Sequence, residues 1–446
     1  MSMKRYFTHY WSLISLGIPI VVGQVGNMVL GFADTLMIGH YGMKELAAAS
    51  FVTNMTMLII LFSMGYSYGL TPLVGQLFGQ GETDKIGRSV RAGVVANTLL
   101  AAVLVAVALM LYHGLPYLGL PSELLPYMRP YLMVNIVSLP FVCWLNTYKQ
   151  FFDAIGHTRI PMMVILSGNV VNILGNYLLI YGYCGCPELG LLGAGVATLF
   201  SRVLMSIAFI VIFFTARPYR AYRESFLRQP TDRQLFRRLN ALGWPLAFQM
   251  SMEASAFSLV SIIVGWIGTL ALAAHQIVAT LSQLFFMVYY GLAAAVSVRV
   301  SHFSGQRDFR SAYDTAAAGF HLVMLVAVLV AVPFFLLRHQ IGMLFTSDAS
   351  VCQLVAQLAL VIIVYQFGDG LQITYSNALR GIACVRPLVY ISFFSYFVTS
   401  LPLSWFLGIY LGYGLLGVWG AFPISLTIAG VLYYWRFKVS TLKSPA

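Results

Sequence analysis

The chain alternates long apolar stretches with short polar breaks. Twelve stretches reach transmembrane length, near residues 11–38, 46–75, 92–113, 124–146, 161–183, 190–215, 240–266, 272–298, 315–337, 351–377, 388–410 and 414–435. About 20 apolar residues at 1.5 Å rise cross a hydrocarbon core, so each stretch predicts a membrane-spanning helix. The apolarity is near-continuous and lacks period-two alternation, which argues against a β-barrel. The first stretch is long, follows two basic residues and has no small-residue cleavage pattern, so it reads as a retained helix and not a cleaved signal. The expected fold class is an all-α integral membrane protein of about twelve helices.

The pattern is written twice. Gly17-Ile18-Pro19 falls on Gly243-Trp244-Pro245, 226 positions later. At the same offset Gly39 and Gly42 match Gly265 and Gly268, Gly65 matches Gly291, Gly79-Gln80 matches Gly305-Gln306, and Gly93 matches Gly319. Further on, the register drifts slightly and Gly190-Leu191-Leu192-Gly193 matches Gly414-Leu415-Leu416-Gly417. Duplicated membrane halves are how many transporters build a central site. The repeat predicts a first six-helix lobe over 1–215, a basic linker over 216–239 and a second six-helix lobe over 240–446. With six spans in each half, both halves enter the membrane in the same direction, related by an axis along its normal. Gly79 and Gly305 end their spans where a C-terminal glycine of positive φ is expected.

Composition agrees. Hydrophobic residues make up 59% and charged residues 9%, against about 25% charged in a soluble globule. The net charge of +12 sorts by loop. Lys4, Arg5, Lys85, Arg88, Arg91, Lys149, Arg159, the run Arg217 to Arg238, Arg299, Arg307, Arg310, Arg380, Arg386, Arg436, Lys438 and Lys443 fall on one side, and little more than Lys44, Arg129 and Arg338 on the other. By the positive-inside rule both termini are cytoplasmic. The basic balance is therefore topology, with some attraction to anionic lipid, and nucleic acid is excluded as a partner.

An ionisable side chain at membrane depth costs roughly 2.5–3.5 kcal/mol on insertion scales, so it marks function by default. Three acids fall inside apolar spans: Asp34, Glu253 and Asp369. Asp34 shares an outer-leaflet slab with Asn172 and Asn176, one turn apart, and with Thr198; these four form one candidate polar cluster. Glu253, Asp369 and Tyr365, which lies four residues before Asp369, share a depth near the midplane. Two carboxylates there repel, so one holds a proton or a cation sits between them. Their oxygens suit Na⁺, a hard ion. The acids do not obey the repeat: Glu253 falls on Asn27, and Asp34 on Val260. Pro19 and Pro245 do obey it, and each permits a hinge or a static kink. Arg202 is a further intramembrane charge that pairs with an acid or carbonyls, or snorkels. Gln276 and Gln283, with Met and aromatic side chains, are candidates to line a cavity for large apolar cations.

Other chemistry is scarce. Cys184 and Cys186, one residue apart, would make only a strained disulfide or half a metal site. None of the eight histidines forms a metal-spaced cluster or a nucleophile–base pair: His40, His113, His302 and His339 fall in or near loops, and His275 is isolated. The chain does not read as an enzyme.

The stretches GIP…GFADTLMIGHYG…LAAAS, GLTPLVGQLFGQG, NILGNYLLIYG…PELGLLGAGVAT, GWPLAFQMSMEAS, LAAHQI and YQFGDGLQ…ALRG resemble the multidrug and toxic compound extrusion (MATE) family, in its bacterial NorM-like branch. The resemblance covers nearly the whole chain. It implies two six-helix bundles around a central cavity, in the MATE and MOP-flippase-like fold, and export of cationic, lipophilic compounds in exchange for Na⁺ or H⁺. It implies a bacterial inner-membrane protein acting as a monomer without a cofactor. Asp34, Asn172, Asn176 and Thr198 match the family's N-lobe cation-coupling cluster, Glu253, Tyr365 and Asp369 the C-lobe one, and Gln276 a substrate-facing position; Gln283 and Phe286 join that substrate set. Some relatives carry an acid where Asn176 stands and a cation-assisting tyrosine where Phe286 stands. A same-superfamily alternative, a lipid-linked oligosaccharide flippase, more often has extra spans and a strongly cationic cavity.

Overall fold

In the computed structural model residues 4–119 and 121–442 are described. Residues 1–3 and 443–446, the outer ends of the two expected lobes, lie outside them, as do residue 120 and the basic Lys443. Among the described residues there is no strand, and twelve helices are long and apolar enough to cross a membrane. They run Tyr6–Tyr41, Met43–Gly79, Thr83–Tyr117, Leu125–Ala154, Arg159–Tyr181, Leu191–Thr215, Arg233–Ile267, Thr269–Gly305, Phe309–Leu336, Ala349–Gly381, Arg386–Tyr410 and Gly414–Leu442, here spans 1 to 12. Each apolar stretch of the sequence lies largely within one span. The helices overrun those stretches at their polar ends, where charged residues continue the turn outside the hydrocarbon. Span 7 thus starts at Arg233, inside the basic run.

Packing divides the chain into two compact units whose borders fall inside spans 1 and 7. One is contiguous, Val22–Ala247; the other is composite, joining the chain up to Val21 with the chain from Phe248 onward. Two glycines explain the division. In the contiguous unit Gly65 of span 2 meets span 7 so closely that a Cβ would stand 2.8 Å from Ala247 Cα and from the Leu246 carbonyl oxygen. In the composite unit Gly291 of span 8 meets span 1, and a Cβ would stand 2.8 Å from the Val21 nitrogen. Gly65 and Gly291 are repeat mates, as are Val21 and Ala247 (21 + 226 = 247). Small residues let membrane helices approach backbone to backbone. In the contiguous unit Tyr66 Oη then donates to Asn240 Oδ1 at 2.8 Å, and Trp244 packs edge-on against Tyr66. In the composite unit span 1 is held to span 9 by bonds between Tyr10 Oη and His321 Nδ1 and between His9 Nδ1 and Thr315 Oγ1, each 2.9 Å.

The structure corrects one local expectation. Gly79 and Gly305 stay within their helices; the left-handed residues that close the turns come two later, at Gly81 (φ 74°) and Arg307 (φ 59°), again repeat mates. The Glu82 N–H reaches back to the Leu77 carbonyl and the Asp308 N–H to Phe303, which is the Schellman closure. Cys184 and Cys186 are free thiols in the turn after span 5.

The basic linker is folded onto the contiguous unit. It forms a turn at Arg217–Tyr219 and a helix at Arg220–Arg228. Gly87 lies under this helix, Arg91 Nη1 donates to the Phe226 and Gln229 carbonyls at 3.1 and 2.6 Å, and Arg88 pairs with Asp232 at 3.3 Å. His157, in the loop between spans 4 and 5, places Nδ1 2.6 Å from Tyr219 Oη. Burial pushes the His157 imidazole below its usual value of about 6.5.

Two expectations follow. Gly65→Val and Gly291→Val each lose on the order of 1–3 kcal/mol from overpacking, whereas Gly420→Ala, with open space around it, melts like the parent in detergent; equal melting temperatures for all three would refute the crossing as a constraint. Because the docked linker favours neutral His157, its docking is fully stable above about pH 6.5 and weakens as the pH falls through and below that value. Hydrogen exchange over 217–228 should speed up between pH 8 and 5.5 beyond its intrinsic pH trend, and a His157→Phe variant should lack that excess.

Candidate functional site

The four residues grouped in the first half are joined by hydrogen bonds inside the contiguous unit. Asn176 Nδ2 donates to Asp34 Oδ1 at 2.5 Å and to Asn172 Oδ1 at 3.0 Å, and Asn172 Nδ2 donates to Thr198 Oγ1 at 3.1 Å. The one-turn spacing on span 5 sets both amides on one face, toward Asp34 of span 1 and Thr198 of span 6. Both asparagines are buried and Asp34 is half-buried. Asn176 Oδ1 is buried without a hydrogen-bond partner among the described residues, so an acceptor oxygen is left over beside the carboxylate. Arg202 of span 6 donates to Ser138 Oγ at 2.6 Å and lies within electrostatic range of Asp34 and Tyr131. Arg202 thus bonds a hydroxyl, a partner outside the acid, carbonyl and snorkelling alternatives open in the sequence, and lies within range of the acid without bonding it.

Glu253, Tyr365 and Asp369 come together in the composite unit. Tyr365 and Asp369, one turn apart on span 10, are buried, and Asp369 is within repulsive range of Glu253 on span 7. Glu253 Oε1 accepts from Tyr396 Oη at 2.9 Å. Among the described residues neither the Asp369 carboxylate nor the Tyr365 hydroxyl has a hydrogen bond, although both are at least nine-tenths buried. A buried carboxylate without a donor is costly as a bare anion. The oxygens of Glu253, Asp369 and Tyr365 are thus a hard donor set with capacity to spare, which fits Na⁺ or a proton. Tyr365 also sits edge-on to Trp419 (5.8 Å) and Phe422 (6.1 Å), at the border of an apolar cluster.

Sequence reasoning missed Tyr396. It lies in a widened, π-helical stretch of span 11, Phe393–Ser400, and such turns gather at functional sites. An intramembrane tyrosine next to two serines, Ser395 and Ser400, was its one available signal. Gln276 and Gln283 are exposed and not bonded to the acids. With Thr280 they form a polar stripe on span 8 at helical spacing, which part-buried Phe286 continues one turn on. Spans 1 and 7 run as unbroken helices through Pro19 and Pro245. Each proline lies two residues before the border at which its span leaves one unit for the other.

The MatE family model matches residues 19–178 and again 245–406, so the second match starts 226 positions after the first (245 − 19 = 226). A probable multidrug resistance protein NorM of Mannheimia succiniciproducens is 31% identical over 442 residues, covering 97% of this chain and 94% of its own length. The fold is similar to that of an outward-facing multidrug resistance MATE family transporter of the MOP superfamily, with TM-score 0.89, 19% identity and coverage of 98% of this chain and 97% of that one. It is also similar to the eukaryotic MATE transporter AtDTX14, with TM-score 0.86, 18% identity and 98% coverage of both chains. At those identities the structures establish the fold, while the family model and the NorM relative establish kinship. The chain belongs to the MatE family of multi-pass membrane transporters.

Proposed function

We propose that this transporter is a secondary antiporter that exports organic, largely cationic compounds in exchange for Na⁺ or H⁺ by alternating access. The supporting observation is the Asp369 carboxylate, buried beside Glu253 with no hydrogen bond among the described residues. Such a group calls for a cation or a proton, and a site that must be neutralised can couple an ion gradient to a change of state. Glu253, Asp369 and Tyr365 would hold the ion through oxygen, with Tyr396 fixing the Glu253 carboxylate. Asp34, Asn172, Asn176 and Thr198 would form a second cation-responsive cluster. Neutralising the acids weakens attraction for a cationic cargo and favours its release. Gln276, Gln283 and Phe286 are proposed to face that cargo. Pro19 and Pro245 would act as hinges, since each lacks a backbone hydrogen bond just before a unit border. The basic face would be cytoplasmic, in a bacterial inner membrane, with both termini on that side.

Reconstituted protein should move an organic cation out against its gradient when driven by an inward Na⁺ gradient alone or a pH gradient alone. Transport under neither would overturn antiport, and the gradient that works names the ion. Glu253→Gln and Asp369→Asn should each cut ion-driven transport at least tenfold while the protein stays monodisperse. Full transport by the double variant would sink the role given to this cluster.

A further inference from the structure

His275 of span 8 is buried, with 4% of its surface exposed, between spans 7 and 12 of the composite unit. Both ring nitrogens are engaged. Trp419 Nε1 donates to Nδ1 at 3.1 Å, and Nε2 lies 2.9 Å from Ser261 Oγ. An indole N–H is only ever a donor, so Nδ1 must carry a lone pair. The ring proton of the neutral imidazole is then on Nε2 and is donated to Ser261 Oγ, and that hydroxyl in turn donates to the Phe257 carbonyl at 3.2 Å. The chain of donors, Trp419 to His275 to Ser261 to Phe257, closes with no group left over. A second ring proton would set N–H against N–H at Trp419, so the histidine is neutral for as long as that bond lasts.

Both ends of the chain lead to the acids. Trp419 meets Tyr365 edge-on at 5.8 Å and Phe422 at 5.4 Å. Phe257 stacks on Phe422 at 4.9 Å and tilts against Tyr396 at 6.4 Å. Tyr365 stands one turn before Asp369, and Tyr396 holds Glu253. We propose that His275 is a positioning residue for ion coupling: a neutral bridge that ties Trp419 of span 12 to Ser261 of span 7, so that the aromatic wall between those spans holds Tyr365 and Tyr396 against the two carboxylates. It touches neither acid and carries no proton in transport. This inference rests on the proposed antiport for its kinetic consequence, but the tautomer does not.

The test has two arms. With ¹⁵N-histidine labelling, the His275 signals, assigned by their loss in His275→Phe, should show a bare Nδ1 and a protonated Nε2. A protonated Nδ1 overturns the bridge whether or not the protein transports. In proteoliposomes His275→Phe, which keeps the ring but removes both bonds, should raise the half-saturating concentration of the coupling ion roughly three- to tenfold, the scale of one or two hydrogen bonds. The organic-cation KM should move less than twofold. His275→Gln, with one acceptor and one donor, should recover most of the loss. Trp419→Phe should reproduce it, and the double variant should be no worse than either single one. Parent transport with an unchanged ion requirement in these variants overturns the positioning role, whereas absence of ion-driven transport in the parent overturns the antiport reading alone.

Discussion

Two backbones can touch only where no side chain stands between them, and two such contacts hold spans 1 and 7 to the units that they join. Gly65 lets span 7 lie on span 2, and Gly291 lets span 1 lie on span 8. Because the contacts are repeat mates, one requirement was copied with the sequence. It also accounts for unit borders that cut spans 1 and 7 near their prolines, and not the linker. A membrane gives helices little hydrophobic reason to associate, so close packing at small residues takes over that role. The matching glycines are the record of it.

The acids do not match, and packing explains how the two units came to differ. Where the contiguous unit has Asp34, the composite unit has Val260, fully buried in an apolar cluster with Ile263, Val264, Ala274 and Trp419. Where the composite unit has Glu253, the contiguous unit has Asn27, which accepts from Asn169 at 3.4 Å. The acid therefore falls at a different repeat position in each unit, two turns apart along the helix. In one it is built of amides and a carboxylate, in the other of carboxylates and phenols. A shared scaffold carries two chemistries because a single span position can be apolar in one copy and charged in the other.

Much of this was legible in the sequence because the membrane makes it so. Twelve apolar stretches could only be helices, and an acid within one stands out against lipid. Asp34 with Asn172, Asn176 and Thr198 was readable from depth and helical spacing, since the bonds run across neighbouring spans at one level. Tyr396 was not, because an aromatic residue in span 11 has the composition of ordinary core, and only the structure aims its hydroxyl at Glu253. Trp419 and His275 were hidden for the same reason: isolated in sequence, they acquire meaning when three spans meet. The turns after Gly79 and Gly305 were misplaced by two residues because the helix runs on through each glycine to the left-handed position at Gly81 or Arg307. Span 1 looked like part of the first half alone, since the sequence carries no mark of which neighbour a helix end will choose.

The two clusters also differ in how far the protein itself satisfies their acids, and this bears on what each can do. Asp34 has an amide donor from Asn176 and the charge of Arg202 nearby, which offset part of the cost of burying its anionic form inside the contiguous unit. Glu253 has the Tyr396 hydroxyl and, at longer range, Arg380. Asp369 has neither a hydrogen bond nor a nearby counter-charge among the described residues, and it faces a second carboxylate. The free energy gained when a cation or proton arrives is greatest where the empty site is least compensated. By that measure the Glu253–Asp369 pair is the less compensated of the two clusters. Asp34, held by an amide and within range of an arginine, is the better compensated acid.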